Sequence, residues 1–270
     1  MYVSVNFDLA DAHILRVKSN LKIMFSRYFL FFTCFCFLFA SCEETPDPFE
    51  VETGFDYFPL TAGKYIIYQV DSTIYDPTGD TSVYHSTTMM KEEIVDTLRD
   101  NAGNLLFKIE RYVRMADTLP WQVTKVFTAS IQGNQAVVTE DNLRFIKLTF
   151  PVRRNNSWNG NIHFNPGLIV TVAGESLEMF KGWSYKIEET GTPATIGGFS
   201  FDDVTTVREA DSENLIELRR SRAQYARGIG LVYRELWILD TQCIGPCEGK
   251  AWEDKAEKGF ILKQIITEHN

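Results

Sequence analysis

The sequence predicts an all-β domain with little helix, mostly antiparallel, arranged as a curved sheet, a sandwich or a partly open barrel. Three observations carry this prediction. Apolar residues recur at period two, as in Tyr65–Tyr75, where Ile66, Tyr68, Val70 and Ile74 share a face. Turn-forming clusters punctuate the chain, among them Asp76-Pro77-Thr78-Gly79-Asp80, Asp100-Asn101-Ala102-Gly103-Asn104 and Gly133-Asn134. Aromatic residues reach 13%, many of them inside strand-like runs, and a chain that is 44% hydrophobic can bury a core.

The elements follow in order. After Tyr65–Tyr75 comes Ser82–Met90. Glu92–Arg99 and Leu105–Arg114 flank the first Asn/Gly cluster as a hairpin, with Leu105, Phe107, Ile109 and Val113 on one face. Trp121–Ile131 and Gln135–Glu140 bracket Gly133-Asn134. Leu143–Val152 alternates with Phe145 and Leu148 out of phase, which suggests a bulge. Trp183–Glu189 ends ahead of Gly191-Thr192-Pro193, Phe199–Glu209 follows Gly197-Gly198, and Asn214–Arg220 follows a polar turn. Gly230–Asp240 reads as a central strand with Gly259–Thr267 beside it. The best helix candidates are Leu168–Phe180 and Ser221–Arg227. Residues 55–270 therefore form one β-rich domain. Phe58-Pro59-Leu60 and Phe150-Pro151-Val152 each precede a turn and an aromatic, a hint of two related halves near 55–150 and 151–270.

Ahead of this domain lies a targeting segment. Residues 28–40 carry no charge, follow Arg27 and end in small residues. The run is shorter than the roughly 20 apolar residues of a membrane span and matches the apolar core of a signal peptide. Leu38-Phe39-Ala40-Ser41-Cys42 resembles the bacterial lipobox, which implies cleavage after Ser41, removal of residues 1–41 and lipid on Cys42. Phe39 departs from the usual Leu three residues before the cysteine, a difference that bears on cleavage efficiency. Cys42-Glu43-Glu44 resembles the surface-export signals of Bacteroidetes lipoproteins and reads equally as the start of a solvated acidic tether over 42–54. Asp8 and Asp11 are out of place in a basic leader, whereas Met24 opens a compact one, MFSRYFLFF; residues 1–23 then precede the true start.

Charge narrows the partners. The chain carries −9; residues 1–41 hold Arg16, Lys18, Lys22 and Arg27 against Asp8 and Asp11, so their removal leaves 23 basic and 34 acidic residues, a net −11. Such a surface repels phosphate backbones, and nucleic acid is not expected as a partner. Cys34 and Cys36 leave with the leader, and Cys243 and Cys247 remain in the domain. An even pair in an exported chain favours a disulfide. Free thiols, or a redox or metal pair, are the alternatives; redox pairs usually space their cysteines by two residues rather than three, and His85 and His163 are remote in sequence.

Three further stretches belong together: Tyr57-Phe58-Pro59-Leu60-Thr61-Ala62-Gly63-Lys64-Tyr65; Lys147-Leu148-Thr149-Phe150-Pro151 with Trp158-Asn159-Gly160; and Tyr225-Ala226-Arg227-Gly228-Ile229-Gly230-Leu231-Val232-Tyr233-Arg234-Glu235. The set resembles uncharacterised Bacteroidetes lipoproteins with an opening proline-glycine motif and a late glycine-rich strand. That resemblance brings no activity, cofactor or catalytic residue. Physically, Pro59 and Gly63 make a turn that feeds a strand, and Gly228 and Gly230 allow a bend or close backbone approach.

Nucleophile–base, metalloprotease, P-loop and dinucleotide fingerprints are absent from the sequence, so no catalytic, cofactor or metal residue is assigned. The acidic pairs Glu92-Glu93 and Asp202-Asp203 would put neighbouring carboxylates on opposite strand faces. Asp71-Ser72-Thr73, Asp96-Thr97-Leu98 and Asp117-Thr118-Leu119 resemble the Bacteroidetes O-glycosylation pattern. The expectation is an outer-membrane lipoprotein, facing the periplasm or the cell surface, held to the membrane by its lipid. Its domain would act as a binding or scaffold module for carbohydrate, an apolar ligand or an envelope protein, with Trp and Tyr on a concave sheet as the contact surface. An envelope hydrolase using acidic residues and an accessory subunit of an envelope assembly are the alternatives.

Overall fold

The computed structural model describes residues 52–80 and 82–270, so the expectations for the leader, Ser41 and Cys42 lie outside the described residues. Fourteen strands follow one another: β1 (Tyr65–Tyr75), β2 (Val83–Arg99), β3 (Leu105–Arg114), β4 (Gln122–Gln132), β5 (Gln135–Glu140), β6 (Leu143–Thr149), β7 (Ser157–Trp158), β8 (Ile169–Val172), β9 (Glu175–Glu178), β10 (Trp183–Ile196), β11 (Phe199–Glu213), β12 (Glu217–Ala226), β13 (Gly230–Asp240) and β14 (Lys258–His269). Twelve form one antiparallel sheet in the order β6-β5-β4-β3-β2-β1-β14-β13-β12-β11-β10-β7, and β8 pairs with β9 alone. The fold is all-β. Two meanders, β1 to β6 and β10 to β13, are joined by the last strand, β14, which pairs with β1 on one side and β13 on the other.

The long sheet twists and curls until its two edges approach, giving a nearly closed barrel. Trp158 Nε1 on β7 donates to the Ile146 carbonyl on β6 at 2.8 Å, and Ile146 N donates to the Gly160 carbonyl at 2.8 Å. The interior core is aromatic: Phe145, Phe180, Trp183 and Tyr185 pack in tilted and edge-on pairs 5.5–5.9 Å apart, with Leu148, Ile187, Leu236 and Ile238 around them.

Turn chemistry sets the register. Asp141 and Asn142 (φ 51° and 61°) take the left-handed conformations of a two-residue hairpin between β5 and β6. At Asp100 the carboxylate accepts the Ala102 and Asn104 amides, closing the β2–β3 turn.

Three expectations need correction. Leu168–Phe180 is not helical: Ala173 and Gly174 both have positive φ and fold Ile169–Val172 back on Glu175–Glu178 as a hairpin. Ser221–Arg227 is not helical either. Its Ala and Arg content favours helix in isolation, but Ser221, Ala223 and Tyr225 are buried on alternate positions of β12, and that packing overrides propensity. Gly191-Thr192-Pro193 does not end a strand. β10 runs through it with register shifts, and Pro193 is tolerated because β7 pairs with β10 only at Tyr185 and Lys186, leaving that side of the strand without a ladder partner at Pro193.

Candidate functional site

The three stretches singled out in the sequence meet in space. Gly228 N donates to the Asp56 carbonyl at 2.8 Å, Lys64 Nζ donates to the Gly228 carbonyl at 2.6 Å, and Val152 N donates to the Thr53 carbonyl at 3.1 Å. The Phe55 and Phe150 rings lie 4.5 Å apart. Gly230 sits beside Pro59, and a Cβ there would come within 3.6 Å of the proline ring. Below this junction the barrel interior holds a cavity of about 150 Å³, whose lining takes Phe58, Pro59 and Lys64 from the first stretch, Lys147 from the second, and Leu231 and Arg234 from the third.

The cavity wall has a charged part built on two centres. On the first, Arg111 of β3 binds Glu92 of β2 and Glu140 of β5, each at 2.6 Å, and Lys125 of β4 shares Glu140 at 3.0 Å. The Arg111 guanidinium also lies over the Phe127 ring at 4.9 Å. Burial opposes ionisation of Glu140, but Arg111 and then Lys125 outweigh it and hold the carboxyl at about 2. On the second centre, Glu209 of β11 accepts from Lys147 at 2.9 Å, Arg234 at 3.0 Å and Ser221 at 2.6 Å. Glu209 is 1% exposed. Burial again opposes its charge, and the neighbouring Arg234 and Lys147 overcome it, holding the carboxyl at about 2. Lys147 is pushed below the ordinary lysine value by burial and by Arg234.

Bulges aim this second centre inward. Ala136 pairs with Leu148 and Val137 with Ile146, so Lys147 is the extra residue on β6. Arg208 pairs with Arg222 and Ala210 with Ser221, so Glu209 is the extra residue on β11. A bulged residue leaves the alternation of its strand and can be re-aimed, which lets both side chains cross the interior to each other. Arg234 and Gln264 then sit opposite one another in register on β13 and β14. Gln264 lies beside the Tyr68 hydroxyl, and Arg234 Nε is buried without an acceptor.

The sequence-predicted features are placed as follows. Cys243 and Cys247 are disulfide-bonded with Cα atoms 5.6 Å apart, in the loop between β13 and β14 and away from the cavity lining. The acidic pairs divide between faces: Glu92 binds Arg111 while Glu93 binds Lys91, and Asp203 is held by Arg227 and Tyr57. Carboxylates converge on cations instead: Glu92 and Glu140 meet on Arg111, which the sequence reading did not single out, and Asp56 and Asp203 meet on Arg227. Neither Glu140 nor Glu209 is tuned as a proton donor near neutral pH, since both are depressed.

Of the aromatic rings expected as a contact surface, Tyr65, Tyr68 and Tyr225 line the cavity. The tryptophans have other neighbours: Trp158 and Trp183 pack on Tyr185, while Arg114 lies over Trp121 at 4.4 Å, Arg220 over Trp237 at 5.6 Å and Lys255 over Trp252 at 4.0 Å. His85 bonds Thr73 Oγ1 at 2.9 Å on the exposed side of β1 and β2.

Comparison with known proteins gives two distant structural likenesses. One is a presumed lipoprotein from Parabacteroides distasonis, 10% identical, covering 79% of this chain and 98% of that one at a TM-score of 0.38. The other is an exported protein with a YmcC-like fold from Bacteroides fragilis, likewise classed as presumed, 11% identical, with the same coverage and a TM-score of 0.34. Both scores lie below 0.5, and nothing about activity passes from either protein to this chain. No protein-family model and no curated protein matches the sequence.

Proposed function

We propose that this chain is an exported lipoprotein of the cell envelope, anchored in the outer membrane through acyl chains on Cys42, whose barrel binds a small ligand in its interior and catalyses nothing. The single observation that carries the binding reading is the cavity itself. Three sequence stretches from distant parts of the chain line it, and its wall combines apolar side chains with fixed charged groups, the composition of a ligand pocket rather than of a packed core. The address rests on Leu38–Cys42 and the acidic tether. The depressed carboxyls argue against the hydrolase alternative, because glycoside hydrolysis needs one carboxyl raised enough to donate a proton.

Native mass spectrometry of the chain purified gently from its own envelope tests the binding reading. An added small mass that disappears on denaturation is the expected result. A bare chain mass under the same conditions, with no ligand recovered in the denatured extract, would sink it.

A further inference from the structure

The two charged centres of the cavity are not balanced alike. Around Arg111 three carboxylates, Glu92, Glu140 and the exposed Asp141, face two cations, Arg111 and Lys125, so this centre carries no positive excess. Around Glu209 a single carboxylate serves both Lys147 and Arg234. That leaves one surplus positive charge in a half-buried position. The surplus lies beside an unused donor. Gln264 is 6% exposed, faces Arg234 in register and lies beside the Tyr68 hydroxyl; Arg234 Nε has no acceptor. A buried donor is normally met by an acceptor. A ligand that accepts hydrogen bonds and carries negative charge would complement both the Arg234 donor and the local positive charge.

The rest of the lining sets the other end of the ligand. Ile66, Ile94, Ile109, Phe127 and Val138 give an apolar wall on β1 to β5. The volume, about 150 Å³, sets its size: an apolar cavity of this order takes up a benzene molecule in another protein. Resting on the reading of the cavity as a ligand site, we infer that the ligand is a compact organic carboxylate. Its head lies among Gln264, Arg234 and Lys147, and its apolar body lies against the isoleucine and phenylalanine wall. Glu209 keeps Lys147 and Arg234 in place, so the head meets a cradle already assembled; Glu92 and Glu140 are bound to Arg111.

Matched probes separate head from body. The full chain carrying Cys42→Ser is used so that neither an acyl chain nor detergent competes, and hexanoate and hexan-1-ol are titrated by calorimetry at pH 7. Hexanoate is expected to bind at least about tenfold more tightly than the alcohol. Gln264→Leu keeps the ion cluster and the side-chain volume, and it is expected to bring the two affinities within about threefold while leaving alcohol binding unchanged. Lys147→Met is expected to act in the same direction, with circular dichroism checking that each variant is folded. Equal affinities in the parent chain overturn the carboxylate assignment, and an acid preference that survives both substitutions overturns the placement of its head, while alcohol binding keeps the cavity reading standing. Binding of neither probe to folded protein overturns both.

Discussion

Glu209 is the residue on which the interior depends most. It is almost fully enclosed, and its two oxygens hold Lys147, Arg234 and Ser221. Removing one member of a buried ion cluster leaves the others charged and unpaired, which costs about 3–5 kcal/mol. Glu209→Gln is therefore expected to lower stability by that amount in urea denaturation at pH 7. Acidity should act through the same group. Its folded value of about 2 lies below the ordinary 4.5, so its contribution is complete above about pH 4.5 and is lost as the pH falls through 2. Parent stability should fall across that window, and the Gln variant should show a shallower slope there. Equal slopes in the two proteins would show that Glu209 does not set the acid limb.

At the scale of elements, the joint of β13, β14 and β1 is the tightest. Gly259 pairs with Leu239 and with Tyr75, at φ 114°, and a Cβ there would fall onto the Ile238 carbonyl oxygen. Gly259→Ala is expected to cost at least about 2 kcal/mol, since both backbone strain and a backbone clash must be relieved. A melting temperature within 2 °C of the parent, against the roughly 2–4 °C per kcal/mol expected for a chain of this size, would contradict that. Strands such as Tyr65–Tyr75, Leu105–Arg114 and Gly230–Asp240 were legible because period-two apolar stripes and Asn/Gly turns act locally. Two segments were not, because Ala-Gly can turn a hairpin as well as sit in a helix, and because burial of Ser221, Ala223 and Tyr225 is a tertiary fact. The cavity was half legible. Lys147 and Arg234 lie inside stretches noticed for their prolines and glycines. Arg111 interrupts the stripe Leu105, Phe107, Ile109, Val113, and Gln264 interrupts Phe260, Leu262, Ile266; a polar residue on an apolar face was the available signal. Which of these polar residues meet could not be read, because bulges at Lys147 and Glu209 redirect them.

For the molecule as a whole, the address and the barrel make separate claims on experiment. No helix among the described residues is long and apolar enough to cross a membrane. On the lipobox reading, Cys42 is the point of attachment. One acyl chain holds a protein only weakly, and two or more hold it firmly. Cys42→Ser is expected to move the chain from the membrane fraction to the soluble one, and a variant that resists carbonate washing would refute the lipid anchor. The seam between β1 and β14 has a consequence for the order in which the barrel forms. Tyr65 and Asn270, bonded at one end of that seam, are 205 residues apart in sequence. Pairings this remote form slowly, because loop closure must precede them. A chain emerging from its N-terminus can zip β1 to β6 early, but the barrel cannot shut until its final strand has been delivered. Until then both meanders present open edges. Closure of the barrel is thus a late event, set by one strand that serves both meanders.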